Sequence, residues 1–176
     1  MRTRGFTLWE LVCTLSIAAI CTTIGVPALR NLALDSRRTA NINAFVLAVQ
    51  LARSESFKRG RPVVVCKTAD TLACAGDDLR YDAGWMVFVN EDDMRPPSRR
   101  PEEPLLFVHR PSAGAHITSN RAFFEFRPYP RRSTNGTITF CDARGSAAAR
   151  AVVVSYTGRP RASGRDAGGR PLVCAE

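Results

Sequence analysis

The sequence predicts an α+β fold in which one long N-terminal helix packs on antiparallel β-sheet. Residues 11–29 contain no charged side chain, and apolar residues then recur at spacings of three and four as far as Ser56. After Pro62 the sequence changes to short runs rich in β-branched and aromatic residues, bounded by Gly, Pro, Asn and Asp. With 176 residues, the chain has room for one globular domain.

The N-terminal part is predicted to anchor the chain in a membrane. The run from Leu11 to Leu29 is long enough to cross a bilayer, and no small-residue cleavage site follows it. Arg2 and Arg4 precede the run and favour a cytoplasmic N-terminus, with the rest of the chain on the other side. Glu10 is unusual here, because a carboxylate at the mouth of an apolar helix is costly without a positive partner.

The second half of the helix is predicted to be amphipathic, and Gly60 and Pro62 end it. Its apolar face consists of Ile42, Phe45, Val49, Ala52 and Ser56. Beyond the helix, six runs are predicted as β-strands: 63–66, 85–89, 105–109, 123–126, 137–141 and 151–156. Asn135 and Gly136, a pair typical of a tight turn, precede the fifth run.

The six cysteines fall into two groups. Cys13 and Cys21 lie in the apolar run, where they serve as small apolar residues. The exported part contains an even number of cysteines, as disulfide-bonded proteins do: Cys66, Cys74, Cys141 and Cys174. Three pairings are open to them. We favour 66–74, which are close in sequence, and 141–174, which would hold the C-terminal tail to a strand. Metal binding is the alternative, but no C-x-x-C spacing is present.

No group of residues indicates catalysis. His109 and His116 are the only histidines, and no arrangement of nucleophile, base and carboxylate accompanies them. The acidic loops lack the spacing of an EF-hand. The sequence therefore predicts neither an enzyme nor a bound cofactor or metal.

Positive charge is concentrated towards the C-terminus. The formal net charge of the chain is +9. Residues 70–103 hold nine acids and four arginines, a net of −5, whereas residues 104–176 hold eleven arginines and four acids, a net of +7. A field of this sign favours polyanions such as nucleic acid or an acidic membrane surface.

The last predicted strand runs into a glycine-flanked, arginine-rich segment. Gly158 and Gly164 allow unusual dihedrals and close backbone approach, while Pro160 stiffens the loop between them. The predicted electropositive ridge consists of Arg159, Arg161, Arg165 and Arg170. Guanidinium groups bind phosphate oxygens, so the ridge would bind a nucleic-acid backbone with little dependence on base sequence and a strong dependence on salt. An ordinary solvated surface is the alternative.

The N-terminal sequence "RGFTLWEL" resembles the type III signal of type IV pilins and type II secretion pseudopilins. The resemblance implies a leader, residues 1–5, which a prepilin peptidase removes after Gly5, and N-methylation of Phe6. It implies a transmembrane and filament-core helix over 6–30, and an exported pilin-like globular domain over 31–176. Glu10 of one subunit would pair with the Phe6 amine of a neighbour. Trp9 stands where a small aliphatic residue is usual.

Two further stretches, "LARSESFKRG" and "GRPR", are similar to the FimT/GspH family of minor pilins and pseudopilins. A FimT-like minor pilin starts in the inner membrane with its C-terminal domain in the periplasm, and then joins an extracellular pilus. It would bind double-stranded DNA for natural transformation through the arginines of the ridge. The alternative is pseudopilin H of the type II secretion system, which shares the leader, helix and sheet and needs no DNA contact.

Overall fold

The computed structural model describes residues 7–70, 72–76, 80–128 and 132–174. Helix α1, Leu8–Arg59, is a single α-helix that continues through Pro27. The part of the chain up to Arg37 and the part from Arg38 onward are two compact units, and each is described by itself. Gly5 and Phe6, the predicted processing site, lie outside the described residues.

The first unit is a helix whose apolar stretch satisfies its hydroxyl groups by hydrogen bonds to its own backbone. Its most apolar stretch has a mean hydropathy of 1.9 and contains no buried residue. By length and composition, this is the one helix among the described residues that could cross a membrane. The Thr14, Ser16 and Thr22 hydroxyls donate to carbonyls three or four residues earlier at 2.8–3.0 Å, which suits a bilayer because no water is available there. Thr7 Oγ1 accepts the Glu10 amide at 3.3 Å, as an N-terminal cap does.

The second unit contains two four-stranded antiparallel sheets that flank the C-terminal half of α1. The strands are β1 Val63–Lys67, β2 Trp85–Val89, β3 Leu105–His109, β4 His116–Ser119, β5 Phe123–Phe126, β6 Gly136–Cys141, β7 Arg150–Val154 and β8 Pro160–Ser163. The first sheet has the order β3-β2-β1-β5 and the second the order β4-β6-β7-β8. Short 3₁₀ turns over Tyr81–Ala83 and Gly145–Ala148 complete the connections.

The core lies between the helix and the inner faces of both sheets. Phe45 is fully buried at its centre, with edge-to-face ring contacts at 5.6 Å to Trp85 and Phe124 and at 6.2 Å to Phe140. All five residues of the predicted apolar face are buried, so the helical period is confirmed. The buried Ser56 hydroxyl donates to the Phe126 carbonyl at 2.9 Å, which satisfies a polar group inside this core.

The α+β prediction is confirmed, but the second sheet differs from its predicted form. Strands β4 and β8 were not predicted, and β7 ends at Val154 rather than Tyr156. The segment expected to be a stiff loop therefore returns along β7 as an edge strand, with Val153 opposite Arg161 and Val154 opposite Pro160. Two arginines of the predicted ridge thus belong to a β-hairpin.

Two disulfides fasten the second unit, in the pairing favoured from the sequence. Cys66 joins Cys74 with a Cα–Cα distance of 5.6 Å, and Cys141 joins Cys174 at 6.0 Å. The second bond holds the C-terminal tail against β6, where Leu172 is buried. Cys13 and Cys21 are free.

Candidate nucleic-acid interface

The β7–β8 hairpin closes through a tightly hydrogen-bonded turn over 155–159. The Ser155 amide donates to the Arg159 carbonyl at 3.1 Å, and the Arg159 amide donates to Ser155 Oγ at 3.2 Å. The Gly158 amide donates to the Ser155 carbonyl at 2.9 Å. These bonds fix the backbone that carries Arg159 and Arg161.

Gly158 is the residue that determines the path of this turn. Its φ is 71°, in the left-handed region that favours glycine, and the residue is buried. A Cβ atom there would lie 3.0 Å from Cδ1 of Phe126 and 3.3 Å from Oγ of Ser133. At Gly164, by contrast, φ is not positive and no atom lies within 4 Å of such a Cβ. The sequence predicted unusual dihedrals and close backbone approach at both glycines. This prediction is confirmed for Gly158 and wrong for Gly164.

Arg159 and Arg161 present unpaired positive charge. Both residues are exposed. Arg161 lies opposite Val153, so its side chain is on the sheet face away from the helix, because the neighbours of Val153 on β7 face the core. Among the described arginines beyond residue 140, only Arg144 and Arg170 form ion pairs. The hairpin therefore offers two guanidinium groups without a competing carboxylate.

Arg165 and Arg170 are held by the turn that follows β8. The Arg170 guanidinium contacts Asp166 Oδ2 at 2.8 Å, and Asp166 Oδ1 accepts the amides of Gly168 and Arg170 at 2.8 and 2.9 Å. The Arg170 amide, and also its guanidinium, hold the pKa of the Asp166 carboxyl below its usual range. Arg165 Nη1 donates to the Gly169 carbonyl at 3.0 Å and forms no ion pair among the described residues. Of the four arginines in the predicted ridge, Arg159 and Arg161 form no ion pair within the part of the chain that the structure describes. Arg165 is held by the Gly169 carbonyl, and Arg170 is paired with Asp166.

Two further arginines lie beside the hairpin, each against an aromatic ring. The Arg53 guanidinium lies 6.0 Å from the centre of the Phe57 ring, and both line an open depression with Arg159. The Arg132 guanidinium lies 5.7 Å from the centre of the Tyr156 ring. Sequence reasoning missed Arg53 and Phe57, although a separation of four residues on a helix places both on one face.

Two other arginines of the C-terminal part are engaged elsewhere. Arg144 binds Asp142 with two contacts, at 2.9 and 2.7 Å, and holds the pKa of that carboxyl below its usual range. Arg150 donates to the Ala149 carbonyl at 2.9 Å. Among the described residues, no cluster of three or more His, Cys, Asp or Glu side chains could hold a metal ion.

The family model for the type II transport protein GspH matches residues 41–158, more than half of the chain. This chain belongs to the GspH family. Two crystal structures of the type IV minor pilin FimU from Pseudomonas aeruginosa are similar in fold. One is 16% identical, with a TM-score of 0.54 over 80% of this chain and 99% of FimU. The other is 17% identical, with a TM-score of 0.55 over 83% and 98%. No curated protein sequence matches this chain.

Family membership gives this protein a structural role. It is a pilin-like subunit of the GspH/FimT type, and its apolar N-terminal helix fits single-pass membrane anchoring. The family implies assembly with other pilins or pseudopilins. The family match ends at Gly158, immediately before the first unpaired arginine of the hairpin. Arg159, Arg161 and Arg165 therefore lie beyond the part of the chain that identifies the family.

Proposed function

We propose that this protein is a FimT-like minor type IV pilin that captures extracellular double-stranded DNA for natural transformation. The observation that carries the proposal is the pair of exposed, unpaired guanidinium groups of Arg159 and Arg161 on a hairpin whose path Gly158 determines. Arg165 adds a third charge on the same segment. Membership of the family implies assembly with other pilins, and the guanidinium groups of the hairpin would contact the DNA phosphates.

The chemistry of the hairpin favours phosphate binding over base reading. A guanidinium fork binds phosphate oxygens through charged hydrogen bonds. The hairpin is a short edge of a sheet, and Arg161 projects from its outer face rather than from a long helix or ribbon that could enter the major groove. Phosphate contacts position a protein on DNA without specifying sequence. We therefore expect binding that depends strongly on salt and weakly on sequence.

The same proposal includes maturation and location. A prepilin peptidase cleaves after Gly5 and methylates Phe6, and Glu10 then pairs with the Phe6 amine of a neighbouring subunit. Before assembly, the first unit lies in the inner membrane and the second in the periplasm. After assembly the subunit is part of the extracellular pilus, near its tip, where the hairpin meets DNA.

The test is a DNA titration of the full-length protein, solubilised in detergent with its disulfides intact. Labelled duplex DNA is titrated at several salt concentrations between about 50 and about 200 mM. If Arg159, Arg161 and Arg165 each neutralise one phosphate, log affinity should fall against log salt with a slope of about −2.7. The Arg159→Ala/Arg161→Ala variant should bind several-fold more weakly, with a slope of about −0.9.

A second double variant controls for net charge. Arg59→Ala/Arg100→Ala also removes two positive charges, but each of these arginines contacts an acid, Glu55 at 2.6 Å and Asp92 at 2.7 Å. It should keep nearly all of the wild-type affinity. Equal losses in both variants, or a salt slope near zero for the wild type, would contradict phosphate capture by the hairpin.

The second candidate function is that of pseudopilin H in type II secretion. It is favoured by the family model, whose description is a type II transport protein, and by a match that stops short of the hairpin arginines. In this role the subunit acts in protein secretion and binds no DNA. A wild-type protein that is folded and fails to bind duplex DNA at low salt would support it.

A further inference from the structure

Two exposed aromatic rings accompany the unpaired arginines of the hairpin. Phe57, in the last turns of α1, is 54% exposed, and Tyr156, in the hairpin turn, is 56% exposed. Each ring has a guanidinium beside it, Arg53 and Arg132 respectively, at 6.0 and 5.7 Å from the ring centre. Phosphate binding explains why arginines are exposed here, but it does not explain the two exposed aromatic rings.

One ring shares a depression with Arg159, and the other belongs to the turn that precedes Arg159. Phe57 and Arg53 line the depression whose other wall is Arg159 and Pro160. Tyr156 lies three residues before Arg159, inside the turn that the Ser155 hydrogen bonds close.

An aromatic ring beside arginines is the arrangement that proteins use to hold single-stranded nucleic acid. Every base has a flat face that stacks on an aromatic ring, whereas bases inside a duplex are already stacked and paired. Rings flanking a phosphate-binding arginine therefore add affinity only where a strand has unpaired bases. Isolated exposed apolar residues are common on surfaces, and Leu47, 55% exposed on the same helix, is one.

We propose that this surface, Arg53, Phe57, Tyr156 and Arg159, binds unpaired nucleobases, so that the protein engages single-stranded ends or overhangs of DNA in addition to the duplex backbone. The inference rests on the proposed function, because it assigns a further part of the ligand to the same hairpin. Arg159 holds the phosphate while a base stacks on Phe57 or Tyr156.

The test compares three labelled DNAs with the full-length protein in detergent: a duplex, a single strand of equal length, and an abasic strand with the same phosphates but no bases. The wild type should bind the single strand at least about fivefold more tightly than the abasic strand, as expected for one stacked base. The Phe57→Leu/Tyr156→Leu variant keeps apolar side chains but loses both rings. Its affinity for the single strand should fall to that for the abasic strand, and its affinity for the duplex should not change.

Two matched variants sharpen the result. Leu47→Ala removes an equally exposed apolar side chain outside the depression and should leave all three affinities unchanged. Phe57→Trp retains a ring and should retain the preference for the single strand over the abasic strand. A circular dichroism spectrum that matches the wild type shows that each variant is folded, whichever DNA it binds.

Equal affinity of the wild type for the single and abasic strands would overturn the inference without any variant. Equal weakening of duplex and single-strand binding by the leucine variant would also overturn it, because the rings would then shape the hairpin rather than bind bases. Base-dependent binding to single strands without duplex binding would support the inference and contradict the proposed duplex function. Failure to bind any of the three DNAs would overturn both.

Discussion

Replacing Gly158 by alanine tests whether the path of the hairpin is determined where the structure places it. The turn has φ of 71° at this residue, and the backbone passes so close to the core that a Cβ would lie 3.0 and 3.2 Å from two ring atoms of Phe126. Phe126 is itself fully buried. Its backbone carbonyl is also bonded to Ser56, so the chain that carries the ring is fixed.

The expected cost has two parts. An L-residue in the left-handed region loses about 1–2 kcal/mol, because its Cβ approaches the following carbonyl oxygen. An added methyl group in a well-packed core costs about 1–3 kcal/mol, because the neighbours must leave their preferred rotamers. Gly158→Ala should therefore lower the free energy of unfolding by about 2–5 kcal/mol. That is a large fraction of the stability of an ordinary domain.

Urea unfolding of the second unit measures this cost. The signal is fluorescence of the fully buried Trp85, in a Trp9→Phe background because Trp9 is 76% exposed. Gly164→Ala is the matched control in the same hairpin, since its backbone is ordinary and its Cβ meets open space. It should be neutral or gain up to about 1 kcal/mol from a less flexible unfolded chain. Equal midpoints for the two variants would refute the argument that Gly158 determines the path of the hairpin.

Two more predictions concern the tail after β8. The Asp166→Asn variant keeps the Oδ1 acceptor for the turn but removes the negative charge that pairs with the Arg170 guanidinium. Duplex DNA should therefore bind more tightly, with a salt slope steeper by about 0.9. Unchanged or weaker binding in the titration would exclude a contribution from Arg170. The Cys141→Ala/Cys174→Ala variant opens a bridge with a sequence separation of 33 and should lose about 3–4 kcal/mol in urea unfolding; a change near zero would show that the tail docks without the bond.

The sequence was sufficient for the elements whose pattern is local. The helical face through Phe45 follows from spacings of three and four, because one face of a helix must be apolar to be buried. The strands β1 to β3 are apolar runs bounded by turn residues, and their bounds differ from the predicted ones by at most one residue. In both cases the signal lies within a few residues of the element itself.

Strands β4 and β8 are different, because neighbouring strands stabilise them. Pro160–Ser163 begins with proline and has no large apolar side chain, which argues against a strand when it is considered alone. It is a strand because β7 offers a free edge and the 155–159 turn returns the chain to it. The sequence prediction of a tight turn at Gly136 was wrong in a related way. It is the first residue of β6, where a Cβ would lie 2.9 Å or less from atoms of Asn120, Arg121 and Phe124, and close approach explains the glycine better than a tight turn.

The candidate site was predicted in composition but not in arrangement. Counting arginines treats Arg161 and Arg170 alike, yet one is unpaired and the other contacts an acid at 2.8 Å. That contact had a sequence signal, since Asp166 lies four residues before Arg170. The approach of Arg53 and Phe57 to the hairpin had none, because about a hundred residues separate them from Arg159 and only the packing of α1 against the second sheet brings them together.

The family match ends where the exposed arginines of the hairpin begin. The match covers the helix from residue 41, both disulfide-bearing sheets in large part, and the chain as far as Gly158. Gly158 packs against Phe126 of the first sheet, and its turn aligns β8 with β7 of the second. The shared framework therefore determines where the next residue is placed, but not which residue it is. If the proposed function is correct, a pilin that captures DNA and a pseudopilin that does not would differ in exposed side chains such as Arg159 and Arg161, which do not support the core.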